Sequence, residues 1–447
     1  MRTCGNHGAT RRHFLFGAAS TAASLGLLSA HPDSELQRGA VTPRGTARTC
    51  VFINLAGAPS QLDTFDPKDG PWNPPGADLR QYGKITLSRR LFPNLSNLTS
   101  DLVVLRSVQS KEAAHERGQY TIQTAHSFNP AVAPEVPHIG AVVAKERATN
   151  GKLPPFLALN SFAVRGPAFL GGQFSPFQPY PNRDGIYTLQ HNYYGTPAQS
   201  QPVFEDKFEL LSALDAPLRA APYNQAMADY TAMYAQAKGM MYDSAIETVF
   251  KFNATDEQRY GATGFGNALI TARNAIRAKN GATFITATLD GWDQHFNMYD
   301  AANNNSYYNM AKRLDTALAS LIQDLKASGD LASTLIVVMG EFGRTPGALN
   351  GRDGRDHYKD LMSALLIGGG ARGGQALGVT DKEGRAIVEP GWSANRPIFV
   401  EDIMATMYSA LGIDWTKSLT DTPSGRRFSY VVGAAEGDVQ PVNEVFG

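Results

Sequence analysis

Short apolar runs rich in β-branched residues recur along the chain, each followed by a polar loop, with helically periodic stretches between them. Thr49-Cys50-Val51-Phe52-Ile53-Asn54-Leu55, Leu102-Val103-Val104-Leu105, Thr283 to Leu289, Leu335-Ile336-Val337-Val338-Met339 and Ser363 to Ile367 read as strands, and Pro154 to Leu159 as a further one. The run from Leu335 has no polar position, the pattern of a strand covered on both faces. Ser306 to Ser328 places Met310, Leu314, Leu318, Leu321 and Leu325 on one stripe and stops at Gly329, which predicts an amphipathic helix leading back into that strand. Ile403, Met404, Met407 and Leu411 line a closing helix ended by Gly412, and Glu205 to Arg277 is helical in pattern. Strand, helix and strand in succession imply parallel strands with right-handed crossovers. The expected fold class is α/β, a mostly parallel sheet with helices on both faces.

The stretches without period mark the remaining organisation. Pro71 to Arg90 is irregular, and Asn160 to about Pro202, rich in Gly, Pro, Asn, Tyr and Phe, is a decorated insertion or a substrate-facing flap. Gly261-Ala262-Thr263-Gly264-Phe265-Gly266 lacks a preceding strand and a Gly-Lys-Ser/Thr ending, which argues against a nucleotide loop. Thr10-Arg11-Arg12-His13-Phe14-Leu15 is a twin-arginine pattern, and Phe14 to Ala30 is too short and too weakly apolar for a membrane span. The division expected is a Tat export signal over residues 1–30, a linker over 31–48, and one domain over 49–447 with an insertion at about 160–277. Export makes the Tat translocase a transient partner and the periplasm or exterior the destination. No Cys follows the apolar run, so no lipid anchor is expected.

Composition narrows the partners. Lys+Arg and Asp+Glu are both 41, so nothing favours nucleic acid or an anionic membrane surface. Cleavage would remove Arg2, Arg11 and Arg12 with no acid, leaving the mature chain close to neutral, and would remove Cys4, leaving Cys50 without a disulfide partner.

The chemistry collects in the loops after the strands, the edge where open α/β sheets bind ligands. Asp63 and Asp66 follow the first strand, Asp66 before Pro67 being equally a turn former. His115 follows the second in a hydroxyl-bearing loop, whereas His126 and His138 read as structural. Asp293-Gln294-His295 follows the strand at Thr283; in an extended segment both side chains face one way, so one cation could reach both. Glu341 and Arg344 leave the strand at Leu335, and Gly351-Arg352-Asp353-Gly354-Arg355-Asp356-His357 packs further ionisable groups into one loop. Asp63, Asp293, His295, Glu341, Asp356 and His357 form an oxygen-and-imidazole set suited to one or two divalent ions, Zn, Mn, Mg or Ca. Arg344, Arg352 and Arg355 are candidate clamps for an anionic ester. In the alternative, these acids and arginines simply neutralise one another.

Taken together, Asp63-Thr64-Phe65-Asp66-Pro67-Lys68, His115-Glu116-Arg117, Gly291-Trp292-Asp293-x-His295, Glu341-Phe342-Gly343-Arg344-Thr345-Pro346, Gly354-Arg355-Asp356-His357 and the closing Leu411-Gly412-Ile413-Asp414 resemble the bacterial domain-of-unknown-function 1501 family over nearly the whole chain past the signal. That family is similar to the alkaline phosphatase and sulfatase superfamily. The resemblance implies a three-layer sandwich with divalent metal at the carboxyl edge of its sheet, hydrolysing phosphate or sulfate esters of a small molecule or carbohydrate. Two departures stand out: Glu341-Phe342-Gly343 occupies the superfamily's Asp-His-Gly position, and His115 lies near the place of its nucleophile. His115 is then nucleophile, general acid or ligand, with Arg344 and Arg355 its catalytic companions and Ser110 a weaker hydroxyl alternative. No formylglycine motif is present, and a non-catalytic binding protein on the same fold is the competing expectation.

Overall fold

Every position of Thr49–Asn54 (β1) is buried, as an unbroken apolar run requires. The computed structural model describes residues 41–186 and 194–447, so the export signal and most of the linker lie outside the described residues. The other strands of the main sheet are Leu102–Gln109 (β2), Phe156–Leu159 (β3), Phe284–Thr288 (β4), Thr334–Met339 (β5), Met362–Ile367 (β6), Gln375–Leu377 (β7) and Ile398–Phe399 (β8). Their order is β7-β2-β6-β5-β1-β4-β3, with β8 pairing beside β2. β1 runs parallel to β4 and β5, and β3 parallel to β4. Packing begins before Thr49: Ala47 is buried and the Arg48 amide donates to the Ser333 carbonyl.

Alternation along the strands sorts the core into two faces. Val51, Ile53, Ile336 and Val338 face Gly264–Ala278 (α3) and Tyr307–Ala327 (α4), whereas Cys50, Phe52, Leu335 and Val337 face Ile139–Glu146 (α2) and Val400–Ala410 (α5). The result is an α/β/α sandwich, in agreement with the expected class. The stripe foreseen on α4 is fully buried, its first turn is capped by Ser306 and Gly329 follows in the left-handed region. Of the segment 160–277, α3 belongs to the helical layer on the sheet rather than to a decoration.

One strand opposes the majority, and one stretch is more regular than its pattern suggests. The strand at Ser363 is present but antiparallel to both β5 and β2. Its connection from β5 stays at the carboxyl edge instead of crossing the sheet, so β6 must return in the opposite sense. Because β6 opposes both neighbours, β2 runs the same way as β1, β4 and β5, and all four deliver their loops to one edge. The irregular stretch at Pro71 to Arg90 contains a hairpin, Leu79–Tyr82 with Ile85–Ser88, that buries Ile85 and Leu87.

Beside the sheet, Arg273 on α3 ties Asp256 at 2.8 Å and Asp324 at 2.9 Å. The Arg273 bond lowers the Asp256 carboxyl, and at Asp324 burial works the other way but the Arg259 and Arg273 bonds outweigh it. Depressed carboxyls add stability above their unfolded values, lost as pH falls through the folded ones. Urea melts should therefore show a stability gap between wild type and Arg273→Met that is full above about pH 4 and narrows below it.

Candidate metal centre

Of the parallel strands that end at this edge, four contribute to the cluster. From β1 the chain passes through Gly57, whose φ of +99° and missing side chain let its backbone lie against Trp292 and Asp293. From β2 it leads through Ala113 to His115, the first residue of helix His115–Thr124 (α1). From β4 it carries Asp293 and His295, and from β5 Glu341, Phe342 and Arg344. A short ladder then pairs Gly343–Arg344 with His357–Tyr358, setting Arg344 opposite His357. Gly354 has room only for hydrogen against the His295 backbone, which seats the loop that ends at His357.

The imidazoles share one arrangement. His357 Nδ1 is 2.7 Å from the Ala113 carbonyl oxygen, an acceptor only, so that nitrogen carries the proton and Nε2 presents its lone pair. His115 Nδ1 is 2.6 Å from Glu341 Oε1 and His295 Nδ1 2.8 Å from Asp356 Oδ1, again leaving Nε2 as the lone-pair nitrogen in the neutral rings. The three Nε2 atoms surround Asp293 Oδ1 at 3.2 Å for His115, 3.0 Å for His295 and 3.4 Å for His357. His295 Nε2 and His357 Nε2 are 3.0 Å apart. Two lone pairs at that separation repel unless a cation, a proton or a metal ion, lies between them.

The donors suit a metal. Nitrogen and oxygen ligands at ~2.0–2.1 Å on a tetrahedral ion are about 3.3 Å from one another, close to the separations around Asp293. Donor atoms of His115, Asp293 and His357 all lie within 4.8 Å of one another, and His115 Nε2 has no hydrogen-bond partner. Each ring donates its other nitrogen to a carboxylate or carbonyl, the support that fixes metal-binding histidines. Asp293, Glu341 and Asp356 face two guanidiniums, Arg344 and, at 3.5 Å on the surface, Arg352, so the cluster keeps a net negative charge that a divalent ion offsets.

The electrostatics follow. The bond to Glu341 raises the His115 pKa more than burial lowers it. Burial lowers that of His357, only partly offset by its bond to Ala113. Burial pushes the Asp293 carboxyl up, but the Arg344 hydrogen bond and charge, with His115 and His295, bring it down to about 2. Phe342 packs its ring 5.0 Å from that of His115 and 4.7 Å from that of His357, walling the cluster on one side.

The residues singled out from sequence thus fall into separate places. Asp293, His295 and His357 meet, and His115 joins them. Glu341 and Asp356 stand behind imidazoles rather than among the converging donors. Asp63 pairs with Arg355 at 2.6 Å, both side chains 1% exposed, and accepts from Tyr299. Arg344 bridges both sets, donating to Asp293 at 2.5 Å, to the Ala58 carbonyl at 2.8 Å and to the Arg355 carbonyl at 3.1 Å. Arg352 reaches only Asp356, at 3.5 Å on the surface. Asp66 is held by Lys68, Arg106 and Thr380, and His138 caps α2. Gly57, Ala113 and Phe342, which order the cluster, carry no chemistry of their own that a sequence would flag.

Fold and cluster together define an α/β protein with a candidate divalent-metal centre at the carboxyl edge of a mostly parallel sheet. The chain belongs to the family described as protein of unknown function (DUF1501), whose profile matches residues 47–445. No curated protein matches it. Among solved structures it is similar to Ps i-CgsB, at 11% identity and a TM-score of 0.43 over 91% of this chain and 76% of that one. It is also similar to the phosphonate monoester hydrolase SpPMH from Silicibacter pomeroyi, at 14% identity and 0.42 over 90% and 77%. A protein in the alkaline phosphatase superfamily from Vibrio parahaemolyticus shows 14% identity and 0.36 over 83% and 69%. Among the described residues no helix is long and apolar enough to cross a membrane.

Proposed function

We propose that the protein is an exported, metal-dependent hydrolase of phosphate or sulfate esters. The observation that carries this reading is the convergence of three imidazole Nε2 atoms on one carboxylate oxygen. His115, Asp293, His295 and His357 would hold a single divalent ion, with Glu341, Asp356 and the Ala113 carbonyl fixing the rings. Such an ion would act as a Lewis acid toward the ester and make an activated nucleophile available at neutral pH.

The chain supplies the rest. Asp293 keeps 44% of its side chain exposed, so the centre opens to solvent on that side. α1 starts at the cluster without a side-chain cap, so its first N–H groups are free to meet the oxygens of an anionic ester. Arg344, whose N–H groups are taken by Asp293 and by the Gly57, Ala58 and Arg355 carbonyls, fixes Asp293 at the same edge. Glu341 is fully buried, and while Oε1 holds His115 and the Gly57 amide, Oε2 has no hydrogen-bond partner. Both oxygens of Asp63 are taken, one by Arg355 and one by Tyr299, which supports one ion rather than two.

One observation favours a second reading. Arg344 lies against both Asp293 Oδ1 and His295 Nε2, the latter at 3.4 Å, and so partly ties the cluster together with its own charge. A binding protein without turnover would need no more. Assays on aryl phosphates, phosphodiesters and sulfates separate the two: the hydrolase reading expects turnover that a chelator abolishes and added metal restores. Metal-loaded protein inert toward every ester would establish the binding-protein reading.

A further inference from the structure

His115 has a second face. Away from the cluster it lines a cavity of about 410 Å³, walled also by β1, the carboxyl end of β4, α1 and the loop at Phe162. We propose that this cavity seats the alcohol portion of the ester, and that this portion is an uncharged, polyhydroxylated unit, a glycosyl residue. The proposal rests on the hydrolase reading for the reacting end and on the cavity's own lining for the ligand class.

The lining discriminates between chemical classes. Phe128 and Phe162 give it aromatic surface, and Phe162 is 73% exposed. Its ring, 6.3 Å from that of Tyr180, still leaves most of its surface open to the C–H face of a sugar. Asn54 and Gln119 pair reciprocally, Nδ2 of Asn54 to Oε1 of Gln119 at 2.8 Å and Nε2 of Gln119 to Oδ1 of Asn54 at 3.3 Å. Each amide then keeps a further N–H and a further lone pair, matching hydroxyls that both donate and accept. An acyl chain would bury these groups without partners, at roughly 1–3 kcal/mol each.

Charged ligands fit less well. A second anionic group would meet the carboxylates of Glu116 and Asp290, and Arg165, the one guanidinium among the described residues of the lining, is held over the Tyr120 ring and donates to the Ala133 carbonyl. A cationic head would gain Glu116 and Asp290 but would face the Arg165 guanidinium, which already sits 4.7 Å over the Tyr120 ring. The wall is also set in advance. Gln123 bonds the Ala163 carbonyl at 3.1 Å and the Arg165 amide at 3.0 Å, pinning the loop that carries Phe162.

The test reads binding, not turnover, so it stands apart from the hydrolase assay. Metal-loaded full-length protein is titrated calorimetrically with neutral mono- and oligosaccharides bearing no ester, and with tetramethylammonium. Saturable saccharide binding is expected, weakened about tenfold by Phe162→Ala at unchanged metal content, and weakened also by Gln119→Leu. No saccharide binding, binding indifferent to both substitutions, or tighter binding of tetramethylammonium would overturn the proposal. Saccharide binding without turnover on any aryl ester would sink the hydrolase reading and leave the ligand class standing.

Discussion

Replacing His357 with alanine is expected to remove bound divalent metal and ester hydrolysis together, while the protein stays folded. The ring is 24% exposed and its only backbone bond is to the Ala113 carbonyl, so little packing is lost. What goes is one of the three lone pairs around Asp293, and the repulsion with His295 Nε2 at 3.0 Å disappears as well. Removing a mere supporting partner costs metal sites 10–100-fold in affinity, so loss of a direct ligand should exceed about 100-fold. Equilibrium dialysis against zinc and manganese, with circular dichroism melts as the control, reads both quantities. If the cluster were only a charge network, His357→Ala would relieve strain between acceptors and leave metal content as it was, near zero in both proteins.

The second large effect is on stability. Arg355→Met should cost about 3–5 kcal/mol, because it leaves the Asp63 carboxylate buried with no opposing charge. The pair is 2.6 Å apart and both side chains are 1% exposed, so water cannot take over. Arg355 also donates to the carbonyls of Thr345 at 2.7 Å and Gly347 at 2.8 Å, which would lose a donor. Replacing both partners, Asp63→Leu with Arg355→Met, should recover much of the loss, since an apolar pair leaves no charge stranded. Denaturant melts of the single and double variants measure this directly. Equal loss in the double variant would show that the carbonyl bonds, rather than the ion pair, carry the stability. Metal content in Asp63→Asn, which is expected to equal that of wild type, separates this pair from the cluster.

Much of this arrangement was legible in the chain. Strands covered on both faces must be apolar throughout, which is why β1 and β5 stood out, and the stripe on α4 carried its own caps. The spacing of Asp293 and His295 after a strand also pointed to a shared cation, and both side chains do reach one point. What the sequence could not separate was a ligand from the group behind it. Glu341 and Asp356 have the same chemistry as Asp293, and only the facing of loops far apart in sequence decides which carboxylate meets Nδ1 and which meets Nε2. Asp63 was misleading for a related reason: a carboxylate after a strand serves a guanidinium as readily as a metal. The hairpin at Leu79 was marked by Gly83 with alternating Ile85 and Leu87, a two-residue turn obscured by the surrounding prolines. The reversal of β6 had no local signal, since an apolar run reads the same in either direction.

The most direct measurement is anomalous diffraction from crystals of the protein grown without chelator and soaked in a zinc or manganese salt. The account predicts a single peak per chain, bounded by the Nε2 atoms of His115, His295 and His357 and by Asp293 Oδ1, with Glu341 and Asp356 outside the coordination sphere. A map with no peak there, or with the ion beside Asp63, would contradict it.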